Sequence, residues 1–293
     1  MFYPLPKEFL DRLSQQVPAD KWDDVLKSFS KPKPICVRIN VLKTSSEKIK
    51  KLLDEEHILY KELSEIPNAL LLPEENGKRI TELECYKKGF LYIQSPSSMI
   101  PALTLNPKPE DKVLDMAAAP GSKTTQMGIM MKNQGEIIAN DIDQNRIFRL
   151  KSILALQGIT NTTVTRMPAQ AIWKTYPQYF DKVLLDAPCS MEGMFNTQEA
   201  KSFQHWSLKK VKSLSKLQKW MLRSAVSAAK VGGTIVYSTC TLSTEENEEV
   251  IEWIMQKEKE TIILAESKKI LPDIIRTGFF IAKLKKIKSN TLC

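Results

Sequence analysis

Asp115-Met116-Ala117-Ala118-Ala119-Pro120-Gly121-Ser122-Lys123-Thr124 follows the short apolar run Lys112-Val113-Leu114 and leads into a helical pattern that continues to Met131. A buried strand, a turn of small residues and a helix form the first half of a βαβ unit. Small side chains let the backbone approach a ligand closely, Gly121 tolerates unusual torsions, and amides at the helix start point into the gap. The run is neither G-x-x-x-x-G-K-[ST] nor G-x-G-x-x-G, which disfavours a phosphate-cradling loop and a dinucleotide fingerprint. Asp141 lies 26 residues after Asp115, at the end of the next strand. A carboxylate there can accept both hydroxyls of a ribose, or cap the following helix.

Outward from this turn, strands and helices alternate. Strands are expected at 112–115, 136–140, 162–166, 181–185 and 234–238, with helices at 144–157, 208–229 and 243–257. Gly232-Gly233 is expected to stop the long helix, and two late strands fall near 261–265 and 278–284. This α/β alternation predicts a doubly wound, Rossmann-like, mainly parallel sheet, with ligands beyond the carboxyl ends of its strands. Before Asn106-Pro107-Lys108-Pro109 the pattern changes. Two short helices within 4–30, a strand at 35–40, a helix at 46–55 and strand-like runs at 69–72 and 90–93 make a small α+β unit. The expected division is 1–108 and 109–293.

Composition narrows the classes. Of 293 residues, 42% are hydrophobic and 26% charged, values of an ordinary globular protein that exclude wholesale disorder and collagen-like repeats. No run of about 18 apolar residues occurs, so no membrane-spanning helix is expected. MFYPLPKEFLDRL lacks the basic region and apolar stretch of a secretory signal, and a cytoplasmic location is expected. Five cysteines (36, 85, 189, 240 and 293) form no C-x-x-C pair and only His57 and His205 are present, so neither a metal site nor structural disulfides are expected. The net charge of +9 is concentrated: residues 201–230 carry eight basic groups and no acidic one. Such a face suits a polyanion, although a solvated helix face would look the same. Arg38, Asn40 and Lys43 are further candidates for nucleic-acid contact.

Two loops carry cysteines at equivalent positions. Asp186-Ala187-Pro188-Cys189-Ser190 follows the fourth strand of the large sheet, and Ser238-Thr239-Cys240-Thr241-Leu242 follows the fifth. One buried cysteine is usually an apolar filler, but two at neighbouring strand ends beside an inferred nucleoside site suggest chemistry.

DMAAAPGSKT, ANDID, DAPCS and STCTLSTEENEEV together resemble the motifs of the Sun/Fmu-type (RsmB/NOP2/Sun) family of S-adenosylmethionine-dependent RNA cytosine-C5 methyltransferases. LPKEFLDRL, PICVRINVLKTS, YIQSPSSM and TGFFIAKLKK extend the resemblance over essentially the whole chain. It implies a class I methyltransferase sheet with an RRM-like N-terminal domain, S-adenosylmethionine as cofactor and rRNA or tRNA as partner. It also implies a monomer that needs neither membrane nor metal. Carbon 5 of cytosine is a poor nucleophile, and a thiolate added at carbon 6 makes it enamine-like. By the resemblance Cys240 attacks, Cys189 assists breakdown of the adduct, Asp186 holds the cytosine edge and borders the cofactor, and Lys123 supplies positive charge. Ala117, Ala118, Ala119, Pro120, Gly121, Ser122, Lys123, Asp141, Arg146 and Asp186 match its cofactor-binding positions.

Three positions depart from the family pattern: Ala117 stands where cysteine is usual, Pro168 where an acidic residue would bond the adenine amino group, and Met191 where glycine is common. A DNA cytosine-5 methyltransferase would use the Pro-Cys residue, Cys189, as nucleophile, but it carries a separate target-recognition region for which little sequence remains. An RNA-binding assembly factor with a vestigial methyltransferase fold would not require both cysteines.

Overall fold

The computed structural model describes residues 2–289, so Cys293 lies outside the described residues. Helices α1 (Lys7–Leu13) and α2 (Trp22–Ser28) precede strand β1 (Ile35–Ile39), helix α3 (Ser46–Glu55) and strands β2 (Lys61–Glu62) and β3 (Ala69–Leu72). Helices α4 (Gly77–Glu82) and α5 (Glu84–Lys87) lead to β4 (Leu91–Ile93). These strands form an antiparallel sheet in the order β2-β3-β1-β4. The apolar face of α3, Ile49 and Leu53, closes its core with Val37, Ile39, Leu70 and Leu91. Ser45 caps α3 by accepting from Lys48 N, which satisfies a free amide of the first turn.

Helix α6 (Pro96–Leu105) follows, unanticipated by the helical periodicity because Ser, Pro and Thr interrupt it. Pro96 occupies the first turn, where its missing N–H costs nothing. The helix buries Met99, Ala102 and Leu105, with Ala102 and Leu105 packed on the large sheet and Met99 against Cys36, Ala69 and Leu71 of the small one.

The large sheet takes β5 (Lys112–Asp115), β6 (Glu136–Asn140), β7 (Thr162–Thr165), β8 (Phe180–Asp186), β9 (Ala229–Thr239), β10 (Ile262–Ile270) and β11 (Phe279–Lys286). Their order is β10-β11-β9-β8-β5-β6-β7. β5 to β9 are mutually parallel, and β11 runs antiparallel between β9 and β10. Helices α7 (Ser122–Met130), α8 (Gln144–Gln157), α9 (Ile172–Thr175), α10 (Leu208–Ala228) and α11 (Glu248–Lys257) supply the crossovers and layers. β5 pairs with β6 on one side and β8 on the other, so the strand order reverses at β5. The carboxyl ends of the strands diverge there and open a crevice.

Gly232-Gly233 does not end the long helix. α10 stops at Ala228, and both glycines lie within β9. The cause is tertiary: buried Lys286 donates to Val226 O and Ala229 O, both at 2.9 Å, and so caps the helix from a neighbouring strand. Among the described residues no helix is long and apolar enough to cross a membrane, and no group of three or more His, Cys, Asp or Glu is placed to hold a metal.

Candidate active site

A cavity of about 540 Å³ opens at the carboxyl ends of β5, β6, β8 and β9. Ala117, Ala119, Asp141, Arg146, Asp186, Cys189 and Cys240 line it, seven of the residues singled out from sequence. Ala118, Pro120, Gly121, Ser122 and Lys123 do not line it, and they shape the turn instead. Ala118 N donates to Asn140 O at 2.8 Å, tying the turn to the neighbouring strand. Pro120 is exposed. Gly121 has φ 113, a conformation that side chains rarely adopt, and a Cβ there would meet Leu150 Cδ1 at 3.0 Å.

The carboxylates are held in place before any ligand arrives. Asp141 accepts from Ala119 N at 3.2 Å and Asp143 N at 3.0 Å, and pairs with Arg146 at 3.3 Å. Arg146 also donates to Ala119 O, closing a ring that fixes the turn to the start of α8. Asp143, rather than Asp141, caps α8. Asp186 accepts from Lys123 Nζ at 2.6 Å and Ser238 Oγ at 2.7 Å, so Lys123 points inward from α7. Ser98 of α6 receives the same ammonium at 2.9 Å. Thr124 donates to Asp115 at 2.7 Å, and burial pushes that carboxyl up to about 7.

The two cysteines meet. Cys189 Sγ and Cys240 Sγ are 3.3 Å apart at the cavity wall they share with Asp186. The hydrogen bond with Cys240, followed by burial, pushes the Cys189 thiol well above its ordinary range. Either sulfur can donate in this contact, and the raised Cys189 thiol favours its protonated form.

A carboxylate unmarked from sequence joins their loops. Buried Glu246 accepts from Ser190 N at 3.0 Å and Gln218 Nε2 at 2.8 Å, and also from the Ser190 hydroxyl. That hydroxyl meets Thr241 Oγ1 at 2.7 Å, so the residues following Cys189 and Cys240 share one anchor. Gly193 N adds a bond to Cys240 O at 3.0 Å, in a space so tight that a Cβ on Gly193 would sit 2.1 Å from Gly278 O. The only signal for Glu246 was its place in the acidic run after Cys240, which reads equally well as the exposed start of a helix.

Pro168 leaves one wall without an acidic side chain, and Met167, Ala169 and Gln170 line the cavity there. Met191, half exposed with φ 63, stands at the mouth. Arg38 and Asn40 are not free for nucleic acid, whereas Lys43 is exposed. Arg38 and Asn40 are buried, and Asn40 bonds Gly89 O and Gln157 O across the junction of the two units. Lys43 donates to Lys88 O and Leu156 O.

Residues 102–285 match the family described as 16S rRNA methyltransferase RsmB/F, and residues 5–77 match the ferredoxin-like domain of RsmF/B-like methyltransferases. The chain belongs to the RsmB/F methyltransferase family. It is 33% identical to ribosomal RNA small subunit methyltransferase F of Pectobacterium carotovorum subsp. carotovorum (strain PC1), over 97% of this chain and 63% of that protein. The chain thus spans somewhat under two thirds of the length of that relative. A tRNA (cytosine(49)-C(5))-methyltransferase of Pyrococcus abyssi is 36% identical, with 97% of each chain covered. The structure of a methyltransferase homolog protein from Pyrococcus horikoshii superposes with a TM-score of 0.82 at 30% identity, covering 97% of this chain and 100% of that one. NSun6 from Pyrococcus horikoshii shares the fold at a TM-score of 0.87 and 24% identity, covering 97% and 99%.

Proposed function

We propose that this member of the RsmB/F family transfers a methyl group from S-adenosylmethionine to carbon 5 of a cytosine in rRNA or tRNA, through a covalent cysteine–RNA intermediate. The observation that carries the reading is the contact of Cys189 and Cys240 at the end of a nucleoside-sized crevice.

The cavity suits the cofactor. Met116, Ile142, Met167 and Met221 offer apolar walls for an adenosine and a thioether chain, while Asp141 and Asp186 offer anionic ones for a ribose and a sulfonium. Asp141 would take the ribose, with Arg146 and the turn from Ala117 to Lys123 holding its position. When bound, the cofactor supplies an electrophilic methyl group. Cys240 adds as thiolate to carbon 6 of the cytosine, which makes carbon 5 nucleophilic. An unperturbed thiol is only about 3% thiolate at pH 7, so an S–H from Cys189, 3.3 Å away, and the Lys123 ammonium held by Asp186 would serve to stabilise the anion. Cys189, kept protonated, is suited to assist elimination afterwards. Asp186 holds the cytosine edge. Residues 1–108 are proposed to help select the RNA and 109–293 to carry the chemistry, in a cytoplasmic monomer that needs no metal.

The test separates the cysteines. Incubated with RNA and cofactor, Cys240→Ala is expected to form no covalent adduct. Cys189→Ala is expected to accumulate one that survives denaturing electrophoresis, because the step after addition is blocked. Adduct in Cys240→Ala alone would reverse the roles.

A further inference from the structure

Arg38 belongs to β1 of the small sheet, yet its guanidinium is buried against the first turn of α7 in the other unit. It donates to Ser122 O at 2.9 Å and to Thr125 Oγ1 at 2.8 Å, two acceptors one helical turn apart that match the planar fork of arginine. A third bond goes to Gln94 Oε1 at 2.8 Å, and Tyr92 lies under the guanidinium with its ring centroid 5.3 Å away.

The placement is electrostatically costly. Among the described residues no carboxylate pairs with Arg38, and its Nε has no hydrogen-bond partner. The positive end of the α7 dipole faces the cation. Burial depresses its pKa to about 9, a measure of how poorly the charge is solvated. A side chain serving only to join two surfaces could do so more cheaply with neutral groups, as Asn40 does nearby.

What Arg38 holds is specific. Four consecutive residues of α7 are each engaged: Ser122 meets Arg38, Lys123 meets Asp186, Thr124 meets Asp115 and Thr125 meets Arg38 again. The two Arg38 contacts fix the rotation of this turn about the helix axis, which directs Lys123 and Thr124 toward the strand ends. Gln94 extends the clamp by bonding Ser98 O of α6 and Gln126 Oε1 of α7, and Ser98 in turn receives Lys123.

We infer that Arg38 is a positioning residue through which the N-terminal unit sets the cofactor-binding turn, so that cofactor affinity depends on a side chain outside the methyltransferase sheet. The inference rests on the reading that the cavity beside the 117–123 turn holds S-adenosylmethionine.

The test is calorimetric titration of the full chain with S-adenosylmethionine and S-adenosylhomocysteine, without RNA, at a temperature where circular dichroism shows each variant folded. Arg38→Met is expected to bind both ligands about tenfold more weakly, and Arg38→Lys to fall between it and the wild type. Thr125→Val, isosteric and away from the cavity, removes one receiving group and should weaken binding about three- to tenfold even if Arg38→Met fails to fold. Unchanged affinity in the folded variants, with only a lower melting temperature, would make Arg38 a joint between units and overturn the inference. Wild-type protein that binds neither ligand would overturn the cofactor reading itself.

Discussion

Glu246 is sealed from water and burial pushes it up to about 7, against an ordinary value for glutamate near 4.3. A carboxyl raised on folding binds more protons in the native state than in the unfolded one. Its stabilising protonation is present below the unfolded value and is lost as pH climbs toward 7. Asp115 behaves alike, for the same reason. Glu246→Gln keeps the shape and removes the titration. The fall in unfolding free energy between pH 5 and pH 7, from urea denaturation, is expected to be about 2 kcal/mol smaller in this variant than in wild type. An equal fall in both would mean that the carboxyl titrates normally. Asp141 poses a different test, because its charge faces a ligand. Asp141→Ala is expected to cost about 1.5–3 kcal/mol of S-adenosylmethionine affinity, roughly ten- to hundredfold, measured by calorimetry. Unchanged affinity would remove Asp141 from the site.

Helix α10 carries the charge concentration, and its cations fall into two kinds. Lys209, Lys212 and Lys216 recur at helical spacing on one exposed face, beside a groove of about 470 Å³. Arg223 pairs with Glu258 at 3.3 Å and lies over the ring of Trp220. If the helix tracks RNA phosphates, replacing the three lysines by alanine should lower the slope of log affinity against log salt by about 2, at roughly 0.7–0.9 per phosphate released. Arg223→Ala should leave that slope unchanged and lower the melting temperature, since Glu258 keeps a buried charge without its partner. Filter binding over a salt series checks both expectations. Equal slopes for wild type and the triple variant would return the lysines to a solvated face.

Across the whole molecule, the N-terminal segments are built into the large-sheet unit at several places besides Arg38, one of them through packing and another through hydrogen bonds. Phe9, Leu13 and Phe29 of the opening helices pack with Phe195, Phe203 and Leu242 from the cysteine-bearing side, and Arg12 pairs with Glu245 beside Glu246. At the second junction Asn40 donates to Gly89 O at 3.2 Å and Gln157 O at 2.8 Å, and accepts from Leu42 N at 3.1 Å. Asn40→Ala would leave buried carbonyls unpaired, with an expected loss of about 2–3 kcal/mol of stability. Thermal denaturation followed by circular dichroism measures it. A melting temperature within a degree of wild type would show that water replaces the amide.

The strands and helices around Asp115, Asp141, Asp186 and Cys240 were legible in the sequence because each rests on short-range causes: apolar runs, helical spacing and small residues at the first turn. Identifying Cys189 and Cys240 as a pair needed only the expectation that parallel strand ends share one edge. Helix α6 was not legible, since its stability comes from the sheet it covers rather than its own periodicity. Nor was the end of α10, which a lysine 58 positions later caps. Arg38 and Glu246 show the limit most plainly. Both are charged, Arg38 alone among the apolar residues of its strand and Glu246 within an acidic run, and charge by itself predicts solvent for each. Burial and long-range hydrogen bonding decide otherwise, and those depend on which distant residues the fold brings into contact.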